Sequence, residues 1–394
     1  MTTDFTFYTP TKVVFGKDAE NQVGALIQEQ DCKKVLVHYG SGSAKRSGLL
    51  DRICASLKKA RIDYVLLGGV VPNPRLSKVH EGIELGKKEG VDFILAVGGG
   101  SVIDSAKAIG YGLYHDGEVW DFYDKNREIQ GCIPLGAVLT IAAAGSEMSD
   151  SSVITNEDGD LKRGTNSHHS RCKFAILNPT LTYTLPTYQT MSGAVDIMMH
   201  TIERYFQEGP TMYLTDEIAE GLLRTVIHFS RVLKEKSDDY DARANLMWAS
   251  SLSHNSLTGA GNSSRGDWAP HQLEHELGGM FDVAHGAGIA AIWGTWARYV
   301  YKNKTDRFAR FGERVFGIRQ TGDTDADAIA AIEAMEEFFR EIGMPTSIKE
   351  LGVEPTKAQI DEMAEKCTFF GKRTLGSIMV LGEKEIREIY TLAL

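Results

Sequence analysis

No run of apolar residues in this 394-residue chain approaches the roughly 20 that a membrane-spanning helix needs, which excludes an integral helical membrane protein. Positive charge is also short: 43 Lys and Arg face 53 Asp and Glu, a net charge of −10 that gives a nucleic-acid backbone nothing to bind globally. Cysteine is scarce, at five scattered residues (Cys32, Cys54, Cys132, Cys172 and Cys367) with no C-x-x-C pair, so neither a disulfide framework nor a zinc ribbon is spelled out. Reduced, mostly buried thiols are expected. The N-terminus has no basic segment leading into an apolar one, so no secretory signal is readable and a cytoplasmic protein is expected. What remains is the composition of a soluble enzyme, 42% hydrophobic and 24% charged, long enough for two domains.

The first half alternates strand and helix patterns. KVLVHYG (34–40), DYVLLGG (63–69) and VDFILAVGGG (91–100) are continuous apolar runs ending in glycine, separated by helical patterns through LLDRICASLKKA and LSKVHEGIELGKKEG. Continuous rather than alternating apolar strands belong to a parallel sheet covered on both faces. PLGAVLT (134–140) and KFAILNP (173–179) extend it. After LNPTLTYTLP the pattern changes to long helices, at 188–207, 213–235, 239–259, 269–279, 286–300, 325–342 and 356–370. An example is the stripe Ile329, Ile332, Met335, Phe338 and Phe339. The fold expected is a Rossmann-like α/β domain over 1–181 followed by an all-α domain over 182–394.

Two glycine turns are candidate phosphate sites. Gly98, Gly99, Gly100 and Ser101 lie between a strand and a helix, where backbone N–H groups and the helix dipole can meet a pyrophosphate, although the stretch is not G-x-G-x-x-G. Gly40, Ser41, Gly42 and Ser43 end an earlier strand. No carboxylate stands there to take a ribose 2′-hydroxyl, and Lys45 and Arg46 follow, which favours NADP(H) over NAD(H).

The helical half carries a metal-ligand pattern. Asp196 and His200 are four apart in MSGAVDIMMHTIERYF, hence on one helix face. WAPHQLEHELGGMFDVAHGAG then places His271, His275 and His285 within fifteen residues, with glycines at 278, 279, 286 and 288 to let the chain turn. One carboxylate with two or three imidazoles suits Fe(II) or Zn(II) rather than Mg(II) or Ca(II). A metalloprotease helix is disfavoured, because HQLEH is not H-E-x-x-H even with Glu274 and Glu276 beside it. His168 and His169, near Lys162 and Arg163, read as a solvated polar loop. Met198, Met199, Trp248, Trp268 and Phe281 are either core or pocket wall.

These motifs together resemble one family. TPTKVVFGK, VVPNP, AVGGGSVIDSAK, LTIAAAGSE, LNPTLTYTLP, GAVDIMMHTIE and HQLEHELGGMFDVAHG run nearly the full length, and the chain is similar to the iron-containing (group III) alcohol dehydrogenases, nearest to the butanol dehydrogenase and NADP-dependent aldehyde reductase branch. The resemblance implies a dehydroquinate synthase-like fold, a divalent metal on Asp196, His200, His271 and His285, and His275 close to the nicotinamide rather than on the metal. It implies nucleotide contacts from Ser41, Ser43, Asn73, Gly99, Gly100, Ser101, Asp104, Thr140, Ser149, Lys162 and Leu181. The YGSGS turn departs from the Asp that NAD-preferring members place there, and the AAAG stretch at 142–145 lacks hydroxyls common in relatives. The implied reaction is hydride transfer between a small primary alcohol or aldehyde and the nicotinamide in an interdomain cleft, in a homodimer; His275 is the candidate for proton exchange with solvent, since a histidine can titrate near working pH. Two rival readings are a dehydroquinate synthase-type carbon–oxygen lyase, which requires a Lys-rich phosphate pocket, and a nucleotide sensor without turnover, which requires a lost ligand.

Overall fold

A computed structural model describes residues 4–262 and 266–394 of the chain. It contains two compact units, one over Tyr8–Leu185 and one over Pro186–Leu394 together with residues 4–7. Among the described residues no helix is long and apolar enough to cross a membrane.

In the α/β unit, strands β1 (Lys12–Phe15), β2 (Lys34–Gly40), β3 (Asp63–Val70), β4 (Phe93–Gly98), β5 (Leu135–Leu139) and β8 (Phe174–Leu177) form one parallel sheet in the order β1-β8-β5-β4-β2-β3. Between them run α1 (Val23–Gln28), the short α2 (Ser43–Arg46), α3 (Leu49–Lys59), α4 (Leu76–Glu89) and α5 (Gly100–Tyr114). β4, β5 and β8 are buried at every position, which is why their sequences are unbroken apolar runs. The parallel sheet with crossover helices and the helical second unit are the architecture expected above.

The order of the strands decides where a ligand can sit. β3 lies outside β2 and the chain then crosses to put β4 on the other flank of β2, so the strand order reverses between β2 and β4. At such a switch point the loops leave in opposite directions and open a crevice at the carboxyl ends. With Tyr39 paired to Val97, the Gly40–Ser43 and Gly98–Ser101 turns leave side by side there.

Two features differ from the sequence reading. β6 (Ser151–Asn156) and β7 (Leu161–Asn166) form an antiparallel hairpin, and Lys162 and Arg163 are buried in β7 rather than solvated in a loop. Both strands are too polar to show an apolar period, and the one local signal is the Asp-Gly-Asp turn, where Gly159 and Asp160 take positive φ. Only Cys172 and Cys367 are buried; Cys32, Cys54 and Cys132 are half-buried.

His38 ties sheet to helix. Its Nδ1 donates to the carbonyl of Leu67 on β3 (3.1 Å) and its Nε2 accepts from Ser105 Oγ on α5 (2.9 Å), with the ring fully buried. Burial pushes its pKa down to about 4 from 6.5. The unfolded chain therefore takes up a proton that the folded chain refuses between these values, so the contribution is complete above pH 6.5 and lost as pH falls toward 4. At about 1.4 kcal/mol per pKa unit this amounts to about 3 kcal/mol. In urea unfolding from pH 7 to pH 4, His38→Gln is expected to show a shallower loss of stability than wild type; equal slopes would count against this assignment.

The helical unit contains α6 (Thr187–Tyr205), α7 (Tyr213–Glu235), α8 (Tyr240–Ser253), α9 (Ala269–Phe281), α10 (His285–Val300), α11 (Thr305–Phe311), α12 (Thr324–Glu341), α13 (Lys357–Cys367) and α14 (Glu383–Leu392). α12 buries Ile332, Met335, Phe338 and Phe339, the stripe read from the sequence, with Ile329 half-buried. α11 and α14 have no counterpart in the sequence reading. α6 is the telling element: it is buried continuously from Thr190 to Tyr205, yet that stretch contains Asp196, His200, Glu203 and Arg204. Charged side chains are kept inside only when paired or bound to a cation.

Candidate metal centre and nucleotide site

Three helices bring the predicted ligands together. α6 carries Asp196 and His200 one turn apart, α9 carries His271 and His275, and α10 begins at His285. α10 can start this close to α6 because residue 286 is glycine: a Cβ there would lie 1.9 Å from the carbonyl oxygen of Ser192.

Each of the three imidazoles has a protein acceptor at Nδ1, although His200 also brings Nδ1 within 3.2 Å of Asp196 Oδ1. His200 Nδ1 donates to the Asp196 carbonyl (2.9 Å), His271 Nδ1 to Glu203 Oε1 (2.8 Å), and His285 Nδ1 to Glu274 Oε2. With Nδ1 protonated, Nε2 is the deprotonated nitrogen of a neutral imidazole. The Nε2 atoms of His271 and His285 lie 3.8 and 3.7 Å from Asp196 Oδ1. One ligand atom from each of Asp196, His200 and His271 falls within 4.8 Å of the others. Asp196 Oδ1 and His271 Nε2 are buried with no hydrogen-bond partner among the described residues.

Lone pairs gathered in this way repel one another unless a cation sits among them, and the spacing is that of atoms sharing one ion at about 2.0–2.2 Å. The donor set therefore fits a divalent metal. Titration follows the same electrostatics. Burial alone would raise the Asp196 carboxyl, but His200 and His285 hold it well below the usual carboxylate range. Burial pushes His200 down to about 4. His271 is also opposed by burial, yet the nearby Asp196 carboxylate and the bond to Glu203 carry it up to about 9, so the site favours positive charge at that position.

His275 is buried beside this group, its ring 6.0 Å from that of His285. Trp268 packs its ring 5.3 Å from His271 and 6.2 Å from His200, whereas Met198 and Met199 are fully buried and Trp248 is 41% exposed. Three neighbours escaped the sequence reading. His254 packs against His200 with ring centroids 3.9 Å apart and planes tilted by 40°, and nothing in its spacing signals this. Glu203 is seven residues after Asp196, on the same face of α6, a spacing that could have found it. Glu274 was noticed only as part of a protease-like pattern, and its partner is His285.

In the α/β unit, Gly99 caps α5 with no capping side chain, and a Cβ there would lie 2.1 Å from Ile141, so only glycine leaves the backbone free at this helix N-terminus. Gly40, Ser41, Gly42 and Ser43 follow β2, and Thr140 follows β5 with its amide bonded to the Gly98 carbonyl. Asn73 is buried after β3 with φ 50°, and the neighbouring Pro74 carbonyl accepts from Thr155, the residue paired with Lys162 across the hairpin. Leu181 lies in the single turn after β8.

Asp104 is engaged by the protein itself: its carboxylate accepts from Ser146 Oγ and the Val153 amide (3.0 Å). Lys107, fully buried, closes the same loop. Its Nζ donates to the carbonyls of Ser146, Ser149 and Ser151 at 2.8, 3.0 and 2.7 Å and approaches the Ser146 and Ser149 hydroxyls at 3.2 Å. Lys107 was not singled out from the sequence.

Comparison with known proteins shows the family. Residues 10–179 match the iron-containing alcohol dehydrogenase family and residues 190–394 match the C-terminal part of the Fe-containing alcohol dehydrogenase family. The chain is 40% identical over 387 residues to NADH-dependent butanol dehydrogenase A of Clostridium acetobutylicum, covering 98% of each. It is 34% identical over 393 residues to the NADPH-dependent aldehyde reductase YqhD of Escherichia coli, covering 99% of each. The crystal structure of an NADH-dependent butanol dehydrogenase A from Thermotoga maritima superposes with a TM-score of 0.95 at 40% identity, over 100% of this chain and 99% of that one. The chain belongs to the iron-containing alcohol dehydrogenase family, whose chemistry employs a nicotinamide dinucleotide and a divalent metal.

Proposed function

We propose that this protein interconverts small primary alcohols and aldehydes of the butanol class with a nicotinamide dinucleotide, using one Fe(II) or Zn(II) held by Asp196, His200, His271 and His285. The observation that carries the reading is the convergence of the Asp196 carboxylate with the Nε2 atoms of His271 and His285 at a buried point that no donor among the described residues fills. When bound, the metal supplies Lewis acidity toward the substrate oxygen, and hydride chemistry belongs to the nicotinamide. The chain's own residues orient the ligands through Nδ1, exclude water from the buried side of the site, and place His275 as the proton-exchanging imidazole. Gly99–Ser101 and Gly40–Ser43, at the switch point of the sheet, hold the dinucleotide phosphates and adenosine ribose.

NADP(H) is the preferred cofactor in this proposal. Its support is local: no carboxylate lies in the Gly40–Ser43 turn, and the exposed Lys45 and Arg46 follow it. The relatives above have names that point both ways, NADH for the 40% match and NADPH for the 34% match. The protein is further proposed to act in the cytoplasm as a homodimer.

Initial rates with a series of linear aldehydes, at equal NADPH and NADH and with added Fe(II), Zn(II) or Mn(II), test the proposal. Metal-dependent turnover that is faster with NADPH is expected. A strong NADH preference would overturn the cofactor assignment, and no turnover with any aldehyde or alcohol would overturn the reaction.

A further inference from the structure

We propose that Glu203 and Glu274 are positioning residues that link the three helices of the metal centre in series, each carboxylate holding the next helix's ligand and strengthening it as a donor. This inference rests on the metal assignment just made. α6 presents Asp196, His200 and Glu203 at positions i, i+4 and i+7, one face of the helix, so the element that supplies two ligands also supplies the acceptor for a third. Glu203 Oε1 accepts from both the backbone N–H (3.0 Å) and Nδ1 (2.8 Å) of His271, and Oε2 accepts from the Trp268 N–H (2.6 Å).

That carboxylate satisfies the start of α9. Pro270 has no N–H to satisfy, the Ala269 N–H goes to Asp267 Oδ1 (3.2 Å), and Trp268 is held at φ 64°, a region a bulky residue enters only under constraint. One side chain thus fixes the helix and the ring it carries. α9 repeats the device one turn later: Glu274, three residues after His271, accepts from Nδ1 of His285 at the start of α10. Room for it is made by Gly288, where a Cβ would lie 2.8 Å from Glu274 Cγ. Both carboxylates are buried, at 1% and 0% exposure, and each is spent on a histidine whose Nε2 faces Asp196.

A buried carboxylate on Nδ1 restrains ring rotation and adds electron density at Nε2, and losing such a partner costs about 10- to 100-fold in metal affinity. The test uses full-length, metal-stripped protein titrated with Zn(II) against a chromophoric chelator. Glu203→Gln and Glu274→Gln keep the shape and one acceptor oxygen but remove the charge. Asp216→Asn removes an equally buried carboxylate from the same unit, one paired with Arg307 (2.7 Å) and not with a ligand histidine. Both Gln variants are expected to bind Zn(II) about 10- to 100-fold more weakly, and their Co(II) derivatives to show shifted d–d bands, while Asp216→Asn keeps wild-type affinity even if its melting temperature falls.

Wild-type affinity in both Gln variants, or an equal loss in Asp216→Asn, would overturn the proposal. Because Glu203 also caps α9, Glu274→Gln alone carries the test should Glu203→Gln fail to fold. Absence of stoichiometric Zn(II) uptake by the wild type would instead sink the metal assignment itself, so the two failures are distinguishable.

Discussion

Asp196→Ala is expected to abolish stoichiometric metal binding and to lower kcat/KM by at least about 10³-fold, a loss of about 4 kcal/mol of transition-state stabilisation. Asp196 is the point on which the site converges: its Oδ1 lies 3.8 Å from His271 Nε2 and 3.7 Å from His285 Nε2, and His200 reaches it from one turn along the same helix. It is also the one carboxylate in the proposed ligand set. Without it, three imidazoles converge with no negative charge among them, and a divalent cation loses its strongest electrostatic partner. The fold is expected to survive, because Asp196 Oδ1 makes no hydrogen bond to neighbouring helices among the described residues. Metal analysis, steady-state kinetics and far-ultraviolet circular dichroism on one preparation separate the outcomes. Full activity in a variant shown to be metal-free would end the Lewis-acid reading.

Lys107→Met is expected to be the most destabilising single substitution in the α/β unit, by about 3 to 5 kcal/mol. The side chains are similar in volume, so the effect isolates the ammonium group. In the wild type that group satisfies three carbonyls of the Ser146–Ser151 loop. In the variant these acceptors stay in the interior without a donor. The same loop contains Ser149, one of the proposed nucleotide contacts, and is tied to α5 through Asp104, so binding of the nicotinamide dinucleotide is expected to weaken along with stability. A urea midpoint within about 0.5 kcal/mol of wild type, the range of an ordinary surface change, would show that the cage does not hold the loop.

Much of this was legible before any coordinates. The buried parallel strands announced themselves because both faces of β4, β5 and β8 are covered, which leaves an unbroken apolar run. Long helices did so through their repeat. The polar β6–β7 hairpin did not, since its strands carry no apolar period, and β1 is four residues long, too short for any period. Asp196 and His200 could be paired from spacing because both lie on one helix, where sequence distance is spatial distance.

That equivalence ends at the helix. Bringing His271 to Glu203, His285 to Glu274, and His254 against His200 joins residues 68, 11 and 54 positions apart, and each depends on how helices pack rather than on how any one of them repeats. The sequence by itself determined the class of fold and the carboxylate-and-imidazole pattern, around Asp196, that is proposed to hold the metal. Only the tertiary structure decided which nitrogen of His200, His271 and His285 donates to the protein, because that choice is made by a carboxylate or carbonyl acceptor, which for His271 and His285 stands on a different helix.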